Sequence, residues 1–206
     1  MKFIINFFWK AFNKIIYWAY ALFSYIFNKL AILSNNVYIV PPFKINGFLT
    51  ISVAKTGCLK IGRNIVINSG SLHNRVGRPQ RTTFIVGENA EIIIGANVKM
   101  SNTVIIAQKS VLIGNDVGIG ANTIIYDTDF HNVMYDKRVN LGDLYDTVKR
   151  APVIIGDGVF IGGHCLILKG VKVGERSIVG AGSVVTKSIP PDELWAGNPA
   201  RFIRKL

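Results

Sequence analysis

The chain has 206 residues, half of them hydrophobic and 17% charged, with 20 glycines; this balance excludes a disordered chain and leaves room for one sizeable domain plus an appendage. Two cysteines, Cys58 and Cys165, lie far apart and supply neither a disulfide framework nor a paired metal spacing, so a reducing, cytoplasmic setting is expected. The net charge is +12, of which Lys2, Lys10, Lys14 and Lys29 give +4 to a stretch without acids; the excess suits a membrane surface, a phosphorylated cofactor or nucleic acid.

Residues 1–34 differ in composition from everything that follows. Trp9, Trp18 and a dense set of Phe and Tyr alternate with the four lysines. The longest uncharged run, Ile15 to Asn28, is 14 residues, short of the roughly 18 to 20 that a bilayer span needs. Ala19-Tyr20-Ala21 mimics a signal cleavage site, but Lys10 and Lys14 interrupt the apolar stretch that should precede it. A helix of this kind suits a membrane interface, with its rings at headgroup depth and the chain peripheral at the inner membrane face. The alternative is a helix docked on the main domain or on another copy.

From about Ile61 an aliphatic followed by glycine recurs at six-residue steps: Ile113-Gly114, Ile119-Gly120, Ile155-Gly156, Ile161-Gly162, Val173-Gly174, Val179-Gly180. Four residues after each aliphatic the side chain is small or β-branched, as at Val117, Thr123, Val159, Cys165, Ser177 and Ser183. A period of six fits neither a 3.6-residue helix nor a two-residue strand alternation. It predicts a solenoid of very short strands over residues 35–190, each flat face giving one aliphatic to a stacked core and glycine easing the corners.

The repeat stops at Asp127 and resumes after Pro152, in phase, because Ile125 and Ile155 are five sixes apart. A loop of this length on a rigid scaffold is expected to carry chemistry. It reads Asp127-Thr128-Asp129-Phe130-His131 at its start. His131 is the expected general base, since an imidazole titrates near neutral pH. Asp129 or Asp127 would accept the other ring N–H. After Pro190-Pro191 a tail of residues 191–206 carries Arg201 and Arg204, which with Lys187 would meet phosphates. Arg75, Arg78 and Arg81, without nearby acids, offer another anionic contact. Neither cysteine has the setting of a nucleophile.

The repeats, together with VGAGSVVTKSIPPDELWAGNPARFIR near the C-terminus, resemble the hexapeptide-repeat acyltransferases over roughly residues 55 to 206, in the sugar O-acetyltransferase branch of maltose, galactoside and capsule acetyltransferases. The resemblance implies an all-β, left-handed parallel β-helix, a homotrimer with sites between neighbouring subunits, and acetyl-CoA as co-substrate. By it, His131 matches the general base; Gly163 and Ala181 would meet the pantetheine arm, Thr186 and Lys187 the nucleotide end, Arg201 and Arg204 its phosphates. Asn102 and Asp127 would bind the acceptor. A metal is not expected: γ-class carbonic anhydrases on this fold need two histidines close in sequence, whereas His73, His131 and His164 are 58 and 33 apart. The implied activity is O-acetylation of a sugar, free or lipid-linked, in surface polysaccharide synthesis. The alternatives are N-acetylation of a nucleotide-linked amino sugar and a non-catalytic scaffold. Nucleic acid is not an expected partner, as no reader motif is present.

Overall fold

The aliphatics of the six-residue register all turn inward. Ile113, Ile119, Ile125, Ile155, Ile161, Ile167, Val173, Val179 and Val185 are buried in one continuous core, and the small residues four positions on, among them Val117, Thr123, Cys165 and Ser183, are buried beside them. In the computed structural model, which describes residues 2–74, 76, 79–139 and 148–206, the chain winds three parallel sheets into a left-handed β-helix.

Sheet A stacks β1 (Tyr38–Ile39), β4 (Cys58–Ile61), β7 (Glu91–Ile94), β10 (Ser110–Ile113), β13 (Val153–Ile155) and β16 (Lys172–Val173). Sheet B stacks β2 (Phe43–Asn46), β5 (Ile65–Asn68), β8 (Lys99–Ser101), β11 (Gly118–Ile119), β14 (Phe160–Ile161) and β17 (Ile178–Val179). Sheet C stacks β3 (Thr50–Val53), β6 (Thr83–Val86), β9 (Val104–Ala107), β12 (Ile124–Tyr126), β15 (Leu166–Ile167) and β18 (Val184–Val185). The in-phase return across the long loop is direct: Val111 faces Val153 and Ile113 faces Ile155 in adjacent strands of sheet A.

Glycine has a different task from the one expected. The repeat glycines are needed where coils approach closely, not for a left-handed turn. A Cβ on Gly120 would lie 2.4 Å from the Gly163 nitrogen, and one on Gly162 would lie 2.5 Å from that of Ala181. The left-handed corners fall instead largely on Asn and Asp, with φ near +60° at Asn64, Asn97, Asp116 and Asn122, residue types that tolerate this region.

Both ends of the solenoid are closed. Helix α1 (Lys2–Ser34) packs against β2 and β3 at the open end of the first coil. Asn28 donates to the Gly47 carbonyl at 2.7 Å and accepts from the Leu49 N–H at 2.9 Å, while Asn35 accepts from the Val53 N–H at 3.0 Å. These groups have no strand below them, so the asparagines stand in for one. At the other end, Pro190-Pro191 do not release a free tail. β19 (Glu193–Gly197) continues sheet B above β17, and β20 (Ala200–Lys205) folds back antiparallel on it.

Candidate active site

The long loop leaves the corner between sheets C and A on a short stalk. Asp127 is fully buried, and its carboxylate accepts the N–H groups of Gln108 (2.7 Å), Lys109 (2.7 Å) and Ser110 (2.6 Å) in the turn of the coil beneath. Thr128 bridges Arg150 antiparallel, and the Ala151 N–H donates to the Asp127 carbonyl at 2.9 Å. Phe130, at φ +59°, turns the chain, its ring edge-on to Tyr126 at 5.1 Å. This leaves His131 exposed beyond the stalk, its N–H donating to the Asp129 carbonyl at 2.6 Å. No hydrogen bond to its ring comes from the described residues.

Two expectations change here. The Asp129 carboxylate does not meet the His131 ring; it pairs with Lys169 Nζ at 2.6 Å, the two side chains 24% and 27% exposed. Asp127, committed to three backbone donors, anchors the loop and presents nothing to an acceptor. Lys169 was missed because only the coil register reveals it: Ile125 faces Ile167, which sets Lys169 above the loop's root. Beside the pair, burial pushes the Tyr126 phenol up, and the Asp129 charge adds to that. Asp129, Asn132, Val133, Met134, Lys137 and Lys149 line a cavity of about 160 Å³ at the loop's foot.

The remaining expected residues divide between the two edges that flank sheet C. Thr186 and Lys187 follow β18 and share the C/A edge with the His131 loop and Lys169. Gly163 and Ala181 lie on the opposite, B/C edge, joined by the hydrogen bond from the Gly182 N–H to the Gly163 carbonyl (2.8 Å). Arg201 pairs with Ala196, which stands directly above Gly180, and so extends that edge; Arg204, opposite Leu194, lies further along β20. A side chain added at Gly182 would meet nothing within 4 Å, so the B/C edge is open beside Gly163 and Ala181, with Arg201 at its end.

Asn102 is on the B/C edge as well, but buried. Its Oδ1 accepts the Gly70 N–H at 2.8 Å, its carbonyl accepts the Gln80 amide at 2.8 Å, and its Nδ2 is unpartnered among the described residues. It holds the insertion 69–82 in place and is closed to an acceptor in the single chain. His164, at φ +59°, is exposed on the same edge, whereas His73 packs against Tyr17 and Tyr20 of α1. Cys165 is buried with its thiol donating to the Gly180 carbonyl at 3.2 Å, and burial pushes its pKa up, the reverse of what a nucleophile needs. Arg75 and Arg78 fall outside the described residues; Arg81 lies over the Phe48 ring at 5.3 Å. Among the described residues no three His, Cys, Asp or Glu side chains gather in a way that could hold a metal ion.

Comparisons with known proteins bear on the family and the fold. Residues 152–187 match a family model described as the hexapeptide repeat of succinyl-transferase. Over 124 residues the chain is 40% identical to galactoside O-acetyltransferase from Escherichia coli (strain K12), covering 60% of this chain but 57% of that relative's length. A hexapeptide-repeat-containing acetyltransferase from Vibrio cholerae O1 biovar eltor, solved with acetyl coenzyme A, is 31% identical with a TM-score of 0.52, over 69% of this chain and 71% of that one. A galactoside acetyltransferase solved with coenzyme A is 35% identical with a TM-score of 0.53, over 68% and 64%.

Proposed function

The chain belongs to the hexapeptide-repeat acetyltransferase family, and from that premise we propose that it transfers an acetyl group from acetyl-CoA to a sugar hydroxyl, with His131 as general base. The observation that carries this reading is the division of the site between two edges. The C/A edge presents His131, Lys169 and Lys187, while the B/C edge presents Gly163, Ala181 and Arg201. One chain holds them apart by the width of sheet C. A second copy, setting its B/C edge against the C/A edge of the first, brings them together, and this head-to-tail contact closes into a ring. A ring of three, the number that the family resemblance implies, is part of the proposal.

In that site the acceptor hydroxyl attacks the thioester carbonyl carbon as His131 takes its proton. A C–O bond forms, the C–S bond breaks, and the proton passes from His131 to the departing thiolate. No enzyme nucleophile is required, in keeping with the raised Cys165 thiol. Asp129 acts on the loop, through its carbonyl to the His131 N–H and its carboxylate to Lys169. Acetyl-CoA places the reaction in the cytoplasm, and a surface polysaccharide precursor, free or lipid-linked, is the acceptor we favour.

Acceptor-dependent release of thiol from acetyl-CoA tests this, with mono- and oligosaccharides, nucleotide sugars and amino sugars beside the His131→Ala protein. The expected result is release with a neutral sugar, reduced roughly 10²–10⁴-fold by the substitution, with acetyl-CoA binding retained. Release with amino sugars alone would move the reading to N-acetylation. Undiminished release in His131→Ala would refute the assigned base.

A further inference from the structure

Helix α1 is amphipathic in the reverse sense for a docked helix. At 100° per residue, Asn6, Lys10, Asn13, Tyr17, Ser24 and Asn28 share one side. Over the second half of the helix that polar side is the one against the solenoid: Ser24 and Asn28 are buried, Asn28 holds Gly47 and Leu49, and Tyr17 and Tyr20 meet His73. The opposite side carries Phe8, Phe12, Ile15, Leu22, Ile26 and Leu33, between 48% and 67% exposed. Trp9 and Trp18, both 62% exposed, stand on the two borders of that apolar arc. A soluble helix that needed only to cap the coil would turn its apolar side inward. This one turns it away from the body.

We propose that α1 is a monolayer-embedded base that seats the solenoid on an anionic lipid surface, apolar arc in the acyl boundary and tryptophans at headgroup depth. Charge complementarity selects the occupant. The helix carries Lys2, Lys10, Lys14 and Lys29 and no acid, a charge that suits lipid phosphates and opposes the approach of a second copy of the same helix. Residues Asn6–Ser34 are long and apolar enough, by length and composition, to cross a bilayer, but the docking geometry decides for an in-plane helix. Asn28 and Asn35 tie the second half to β3, and the free first half, Lys2 to Ile16, spans about 22 Å at 1.5 Å per residue against a hydrocarbon core of about 30 Å.

The orientation follows. α1 caps the lowest strand of sheet C, so the coil axis rises from the membrane. β12, which delivers the His131 loop, is three strands above β3, about 14 Å at 4.7–4.9 Å per step. Arg81, over Phe48 at the level of the helix, adds a cation near the base.

Flotation of the full chain with vesicles of equal parts phosphatidylcholine and phosphatidylglycerol tests the proposal, beside vesicles of phosphatidylcholine alone and a double variant Ile15→Glu, Leu22→Glu on the outward arc. The docked asparagines are untouched in that variant, and its melting temperature checks that the fold is kept. Supporting results are flotation of the wild type with the anionic vesicles, weaker flotation with the neutral ones, and a fall of roughly tenfold or more in the variant. Wild-type protein left in the aqueous layer, or a folded variant that floats equally well, overturns the proposal. So does a soluble assembly of the wild type that ignores vesicles and dissociates in the variant, which would assign the arc to a second copy. None of these outcomes depends on acetyl transfer, so the enzymatic reading stands or falls separately.

Discussion

Asp127 and Asp129, two residues apart, do different work because one faces the coil and the other faces across it. With three backbone donors on a buried carboxylate, Asp127→Ala leaves those N–H groups unpaired, and a loss of about 3 kcal/mol is expected, read as a lower melting temperature; Asp127→Asn, which keeps one acceptor oxygen, loses less. The Asp129–Lys169 pair is partly exposed and adds little stability. Its role is to hold the root of the loop, so Lys169→Met is expected to lower kcat about fivefold with the acetyl-CoA KM nearly unchanged, and Lys169→Arg to restore it. A Lys169→Met enzyme with full kcat would remove the residue from the site. His131 stands out in the sequence because it sits where the period breaks. The three backbone donors of Asp127 could not be read there, since Gln108 to Ser110 are local to it only in the stacked coil.

The elements were legible in proportion to how strictly they repeat. The coils from β10 upward read directly from aliphatic-glycine pairs; the first coil, Tyr38 to Val53, contains no such pair, so it fell within the expected solenoid of residues 35–190 while its strands could not be placed. The glycines were read correctly in position and wrongly in cause. Gly120→Ala must push two coils apart, with a Cβ 2.4 Å from a backbone nitrogen, and is expected to cost about 3 kcal/mol in thermal unfolding; a neutral substitution would contradict the close-approach account. Where α1 meets insertion 69–82, burial first and Lys44 second hold the His73 pKa below its ordinary 6.5. The unfolded chain therefore binds more protons than the folded one between the folded value and 6.5. This contribution to stability is complete above that window and is lost as pH falls through it. Acidification should lower the melting temperature of the wild type more steeply than that of His73→Phe, and parallel slopes would exclude His73 as the sensor.

At the scale of the molecule, the sequence displayed the solenoid, the break and the C-terminal motif, and the resemblance implied sites between subunits, but the residues alone could not show which of them fall on which edge. Gly163 and Thr186 are both near the end of the chain, and only the three-sided winding puts them on different edges. The same winding sets the base for the membrane: copies arranged about an axis parallel to the coils would all present α1 to one plane, and several weak anchors would act together. The most direct test of the divided site mixes two inactive chains, His131→Ala, damaged on the C/A edge, and Ala181→Glu, damaged on the B/C edge, by reversible dissociation and reassembly. Acceptor-dependent thiol release should reappear at about one quarter of the wild-type level, the share of interfaces that receive both intact edges in a random ring. A mixture that stays inactive, while wild-type protein taken through the same treatment recovers, would mean that both edges serve one chain and that the site between subunits does not exist.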